Sequence, residues 1–189
     1  MAAVSPEIIK TIFQLQSLSS LANFNLAGGT NLALQYKHRI SDDIDLFCSE
    51  IIGLDGFNKI QEEVKANFGK KARNFDTPCD INDQYSFLRF FIDAEDGTTI
   101  KVDVLQNMKH LFKINTINNI RLFSKEDIGL YKLVSLSNRS TKKDIYDLDF
   151  ITDEIKLSTL YRKLKEKAEK LTKLKNDEGI NCNIKTSLF

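Results

Sequence analysis

Ala27-Gly-Gly-Thr-Asn-Leu-Ala-Leu-Gln-Tyr-Lys-His-Arg-Ile-Ser-Asp-Asp-Ile-Asp-Leu-Phe47 is the stretch on which the reading of this chain turns. An apolar run stops at Gly28-Gly29, and a short helical pattern follows over Asn31 to Lys37. The stretch closes on Asp43-Ile44-Asp45-Leu46-Phe47, an acid–apolar alternation. Successive side chains of a strand point to opposite faces, so Asp43 and Asp45 share one face and Ile44 and Leu46 the other. Two carboxylates at that spacing can converge on a hard cation, or on two cations about 3.5–4 Å apart. Gly28 and Gly29 lack Cβ atoms and let a phosphate approach the backbone, where the N–H groups opening the next helix point at it. A phosphate cradle followed by a metal-binding acid pair is a nucleotide site in outline.

Each half alone has a plain structural explanation. Gly-Gly before a helix is a tight turn, and Asp-x-Asp is an exposed strand edge or loop end. In this order, one short helix apart, they are far more specific than either is singly.

The order apolar-Gly-Gly, a gap, then Asp-apolar-Asp-apolar resembles the signature of the DNA-polymerase-β-like nucleotidyltransferase superfamily. The fuller string Gly-Gly-Thr-x-Leu-Ala-Leu…His-Arg-x-Ser-x-Asp-x-Asp-Leu-Phe is narrower and resembles the AbiEii/AbiGii abortive-infection toxins, bacterial nucleotidyltransferases of toxin–antitoxin pairs. A later block, Lys132-Leu133, Arg139 and Asp144-Ile-Tyr-Asp147-Leu148, is similar to a second element of that family, with Lys143 where its second arginine usually stands. The resemblance spans about residues 20–150. It implies that Gly28, Gly29 and Thr30 hold the phosphates and that Asp43 and Asp45 ligate two Mg²⁺. A third catalytic carboxylate is expected on a strand downstream, and Asp103 is the candidate, as metal ligand and as the group that helps deprotonate the acceptor.

Composition limits the alternatives. Length is that of one domain, or of a catalytic core with a small helical appendage. A formal net charge of +1 excludes a whole-protein field for nucleic acid, so any basic surface must be local. Cys48, Cys79 and Cys182 are scattered without metal-ligand spacing and read as free thiols in a reducing cytoplasm. No apolar run is long enough to span a membrane and no leader is evident.

Along the chain, Ser5-Pro6-Glu7 opens an amphipathic helix, and Asn23 to Ala27 reads as the first strand. A second helix runs from an Asp55 cap to about Phe68, and the basic Gly69–Arg73 segment after it reads as a solvated helix end. Tyr85–Asp93 and Thr99–Gln106 form a hairpin around Glu95-Asp96-Gly97-Thr98. Within it, Val102-Asp103-Val104 puts an acid in a largely buried strand, where it needs a cation, a donor or a proton. Asp93, at the hairpin end, is the alternative third acid. Asn119–Phe123 reads as a short strand, and Ser124-Lys-Glu-Asp127 as a capped helix start.

In that helix Lys132 lies among apolar residues. Taken alone it snorkels to water; together with Arg139, about two turns on, it could reach a triphosphate, a role the family resemblance supports. Asp144 and Asp147 share a face of the next helix, Lys142–Ile151, as direct active-site groups or as partners of nearby cations. A final helix, Glu154–Lys175, carries Lys163, Lys167 and Lys170 opposite its apolar stripe, either as a solvated face or as an RNA-backbone surface.

The expected fold is α/β of the α+β type. A small mixed sheet forms the nucleotidyltransferase core over 1–123, with a helical C-terminal part over 124–189. The expected reaction moves a nucleoside monophosphate from an NTP to an acceptor hydroxyl. By resemblance, the acceptor is RNA at a tRNA 3′ end, and an antitoxin protein is the partner. A small-molecule or protein hydroxyl as acceptor, or binding without turnover, are the alternatives.

Overall fold

The structure is a computed structural model that describes residues 2–78, 87–139 and 141–177, with side chains described as far as residue 170. The chain divides into two compact units, Met1–Phe123 and Ser124–Phe189.

The first unit holds a mixed sheet. In chain order its elements are α1 (Pro6–Ser17), β1 (Asn25–Ala27), α2 (Gly28–Tyr36), β2 (Ile44–Phe47), α3 (Gly53–Phe68), β3 (Ala72–Asp76), β4 (Phe87–Asp93), β5 (Thr99–Leu105), β6 (Asn115–Ile117) and β7 (Ile120–Leu122). Among the described residues the sheet has seven strands in the order β3-β4-β5-β2-β1-β7-β6. β2 runs parallel to β5 and antiparallel to β1, while β1 runs parallel to β7. The α/β class expected from the sequence is the class observed.

Alternation sets which face of each strand is buried. Ile44 and Leu46 of β2, Leu88, Phe90 and Ile92 of β4, and Ile100, Val102 and Val104 of β5 are buried in one core. Ile8, Ile12 and Leu15 of α1 and Phe57, Ile60 and Val64 of α3 join that core from their apolar stripes. The start of α1 follows its sequence signal, with the Ser5 hydroxyl accepting a hydrogen bond from the Ile8 N–H at 3.2 Å.

Several boundaries differ from the sequence reading, each for a local reason. β1 begins at Asn25. β2 begins at Ile44, because the Asp43 carbonyl accepts a hydrogen bond from the Thr30 hydroxyl. α3 begins at Gly53, where the Gln106 side-chain oxygen accepts from the N–H groups of Ile52 and Gly53 at 2.9 and 3.0 Å, the work expected of Asp55. The Gly69–Arg73 segment is only briefly helical. From Ala72 it becomes β3, and Arg73 pairs bidentately with Asp93. β6 is a strand the sequence did not reveal, since all three of its residues are exposed. Asn118 and Asn119 turn it back into β7 with φ of 49° and 62°, the left-handed pair a tight hairpin requires. Tyr85 and Ser86, expected to begin β4, lie outside the described residues, as do Cys79 and Cys182. Cys48 is buried, and burial pushes its thiol up to about 11.

One buried amide ties the middle of the sheet together. Asn31, fully buried in α2, donates to the carbonyls of Leu26 at 2.7 Å and Phe123 at 3.0 Å, so it holds the ends of β1 and β7 to the helix.

The second unit contains α4 (Lys125–Asn138), α5 (Lys142–Thr152) and α6 (Leu157–Asp177). Ser124 caps α4, its hydroxyl accepting from the Asp127 N–H at 3.0 Å, and Thr141 caps α5 in the same manner. Gly129 lies against Leu160 and Ile151, where an added Cβ would come within 3.0–3.3 Å of those side chains. Among the described residues no helix is long and apolar enough to cross a membrane.

Asn31→Ala should lower stability by about 1–3 kcal/mol, since it removes the donor from buried carbonyls. Urea unfolding measures this directly, and a loss under half a kcal/mol would show that the amide is dispensable.

Candidate active site

The site is assembled where β1 ends and β2 begins. Ala27 and Asp45 are register partners across the antiparallel pair, so Gly28 follows at the level of the Asp45 side chain. Gly28 has φ of +65°, and a Cβ built on it would lie 1.9 Å from the Asp45 Oδ2. No other residue fits there. The carboxylate therefore rests against the backbone that opens α2, beside the N–H groups of its first turn.

Thr30 locks this arrangement from beneath. It is almost fully buried, and its hydroxyl donates to the Asp43 carbonyl while meeting the Ser41 hydroxyl at 2.9 Å. The Thr30 side chain, expected at the phosphates, is thus committed to the acid loop. What it can still offer a phosphate is its backbone N–H.

Asp103 enters from the neighbouring strand. β2 and β5 run parallel in a register that sets Asp45 opposite Asp103, which brings the three expected carboxylates to one region of the sheet. Two cations accompany them that the sequence reading had not placed. Arg89 lies opposite Asp103 in the antiparallel β4–β5 register, and its guanidinium forks onto both carboxylate oxygens, Nε to Oδ1 at 2.6 Å and Nη2 to Oδ2 at 2.9 Å. Lys101, two residues before Asp103 on the same face, sets its Nζ 3.3 Å from Asp103 Oδ2 and 3.5 Å from Asp43 Oδ2.

Burial alone would raise the Asp103 pKa. The hydrogen bonds of Arg89 and the charges of Lys101 and Arg89 outweigh it and hold the carboxyl below its ordinary range. Burial likewise works against the Lys101 ammonium, but the charges of Asp103, Asp43 and Asp45 together raise its pKa. The alternative third acid, Asp93, is taken up by Arg73 and by the Thr99 hydroxyl at 2.8 Å.

This arrangement bears on the expected pair of Mg²⁺ ions. Among the described residues no group of three or more acid, histidine or cysteine side chains is gathered closely enough to hold a metal. Asp43 and Asp45 are the remaining carboxylates whose hard oxygens could hold a divalent ion. Asp103, expected as a third ligand, meets cations of the protein on both of its oxygens.

Lys132, Asp144 and Arg139 form a cluster inside the second unit. The buried Lys132 ammonium lies 2.7 Å from Asp144 Oδ1 and 2.7 Å from Asp147 Oδ2, and both of those carboxylates are buried. Asp144 Oδ2 accepts from the Thr141 hydroxyl at 2.6 Å and faces Arg139 Nε at 3.4 Å. Burial would raise the Asp144 pKa, but Lys132, Thr141 and Arg139 bring it below the ordinary value. The direct chemical role expected of Asp144 therefore meets a carboxylate engaged on both oxygens. The phosphate role expected of Lys132 meets an ammonium held between two acids. Arg139 is the cation of this group that stands exposed.

The basic face expected on α6 is thinner than the sequence suggested. Lys167 is buried with its ammonium 4.0 Å from the Tyr131 ring centroid, and burial pushes it down to about 8. Arg162 and Lys163 both pair with Glu166.

A model of the AbiEii family, described as nucleotidyl transferase toxins of type IV toxin–antitoxin systems, matches residues 15–182. The chain belongs to that family, and it is a nucleotidyltransferase. An uncharacterized protein, aq_aa25 of Aquifex aeolicus (strain VF5), is 26% identical over 159 residues, which is 80% of this chain and 68% of that protein. Among solved structures, a Megavirus polyadenylate synthase superposes with a TM-score of 0.46 at 13% identity. That match covers 78% of this chain and 35% of the synthase.

Two measurements test this geometry. Gly28→Ala forces a methyl into the space of Asp45 Oδ2 at a positive φ, so binding of a fluorescent NTP analogue should fall at least about tenfold, since lost close approach and a displaced carboxylate act together. Unchanged affinity in a folded variant would separate Gly28 from the site. Lys132→Ala leaves two buried carboxylates without their cation and should cost roughly 3–5 kcal/mol in urea unfolding, with partial recovery when Asp144→Asn and Asp147→Asn are added. A loss below about 1 kcal/mol would mean that water already solvates the pair.

Proposed function

We propose that this chain transfers a nucleoside monophosphate from an NTP to a hydroxyl of an RNA acceptor, foremost a tRNA 3′ end, as the toxin partner of an antitoxin protein. The observation that carries the reading is the contact of Asp45 with Gly28, because it joins the acid pair to a helix N-terminus with no room between for a side chain.

The N–H groups of Gly28, Gly29 and Thr30 would hold phosphate oxygens, since a helix N-terminus presents unpaired donors and a positive dipole end. Asp43 and Asp45 would hold a Mg²⁺, which when bound supplies charge neutralisation for the phosphates. Asp103 would line the acceptor side, kept anionic by Arg89 and Lys101. Those two cations also offset the repulsion that three neighbouring carboxylates would otherwise exert on a polyanionic substrate. In-line transfer between such charged groups depends on positioning and neutralisation more than on covalent chemistry.

Family membership supports the antitoxin. Lys165 and Lys170, exposed on α6, give RNA a modest basic surface.

Incubation with each labelled NTP, Mg²⁺ and total RNA tests the whole reading. Label should enter RNA with the wild-type chain. Asp43→Asn and Asp45→Asn should each lower transfer by at least about a thousandfold, and the double variant should be little worse, because residues acting as one unit are not additive. Label in protein or in a small molecule would keep the enzyme and replace the acceptor. Near-normal transfer by either single variant would remove the acid pair from the chemistry.

A further inference from the structure

Lys101 has no part in the family pattern read from the sequence, yet it occupies the centre of the acid cluster. Its Nζ lies between Asp43 Oδ2 at 3.5 Å and Asp103 Oδ2 at 3.3 Å. Its side chain is only about one-third exposed, so the ammonium is not simply reaching for water. A divalent ion bridging Asp43 and Asp103 through those two oxygens would have to displace the ammonium.

Arg89 makes that position harder still to reach. A carboxylate offers about four lone-pair sites. The Arg89 fork takes one on each oxygen, and Lys101 takes a third. The fork is fixed by backbone register, since Arg89 and Asp103 are direct partners across β4 and β5. Lys101 is fixed in the same way, two residues from Asp103 on one face of β5. Taken by themselves, the three carboxylates and these two cations carry one net negative charge. One divalent ion inverts that charge modestly, whereas two would leave a strongly cationic cluster against Lys101 and Arg89.

We propose that the Lys101 ammonium is a built-in substitute for a second divalent cation, so that this site takes one metal ion, on Asp43 and Asp45. The inference rests on the nucleotidyl-transfer reading for that one ion. Lys101 then supplies in fixed form the positive charge that a second ion would bring to the acceptor side, and Arg89 positions the carboxylate against which it rests. The charge costs no ion recruitment, and because an ammonium has no open coordination sites it neutralises without ligating the acceptor.

Ion stoichiometry distinguishes this from a two-ion site without recourse to turnover. Mn²⁺ titrated into the nucleotide-free protein, followed by loss of the free-ion electron paramagnetic resonance signal, should give one bound ion per chain. Asp45→Asn should abolish it. Lys101→Gln vacates the space between Asp43 and Asp103 and should raise the count to two, while Lys101→Arg, which keeps the charge, should leave it at one. Thermal melts of each variant establish that the folded protein is being titrated.

Two ions in the wild type, or one in a folded Lys101→Gln, would overturn the proposal and leave nucleotidyl transfer standing. No Asp45-dependent ion in the wild type would overturn the one-ion assignment, and nucleotidyl transfer is decided by the RNA labelling. The RNA-labelling experiment separates the cases independently, since it does not depend on how many ions are held.

Discussion

The close approach of the Asp45 carboxylate to Gly28 is the constraint around which the first unit is arranged. A single methyl at residue 28 would meet Oδ2 at 1.9 Å, so the acid and the helix opening occupy adjoining space with no slack. Three levels of structure enforce that distance. The β1–β2 register places Ala27 opposite Asp45. The Thr30 hydroxyl holds the Asp43 carbonyl, and so sets where the acid loop enters β2. The Asn31 amide fastens α2 to the ends of β1 and β7. Pulling any of these away would move a carboxylate relative to the N–H groups of the helix, and a displacement of about 1 Å is enough to disable a positioned site.

Much of this was legible in the sequence because it depends on local period and local residue type. Gly28-Gly29 demanded a backbone without Cβ atoms, and the alternation through Asp43–Phe47 divided acids from core residues. The structure shows this for Gly28, with its positive φ and no room for a Cβ, and for the alternation. The acid within Val102-Asp103-Val104 was read as needing a partner, and it has two. Their identity was out of reach. Arg89 faces Asp103 only because β4 and β5 pair in one particular register, and pairing across strands leaves no periodic mark in either segment. Lys101 does leave a mark, since residues two apart in a strand share a face.

The misread segments share a different cause. β6 is exposed at each residue and so lacks the apolar alternation by which strands are recognised. β3 begins within a run of lysine and arginine, where composition suggested a solvated helix end. Its strand conformation follows from pairing with β4, with Arg73 matched to Asp93. Helical spacing puts Lys167 on a basic face, but spacing alone does not tell which long side chain folds back over an aromatic ring. In the structure it lies over Tyr131 in the second unit.

The two units solve one electrostatic problem in two ways. A buried carboxylate is tolerated only with matched cations and donors. In the second unit Lys132 stands between Asp144 and Asp147, deep enough that the group behaves as a rivet between α4 and α5. In the first unit the cations are more open, with the Arg89 and Lys101 side chains about four-tenths and three-tenths exposed beside an Asp103 that is mostly covered. The two groups thus differ in how far their charge is open to solvent. A sealed pair holds helices together, whereas a half-open one presents fixed charge to whatever enters. With its lone pairs largely taken, Asp103 is better suited to orienting Arg89 and Lys101 than to accepting a proton. The positive charge beside Asp103 is therefore set by strand register.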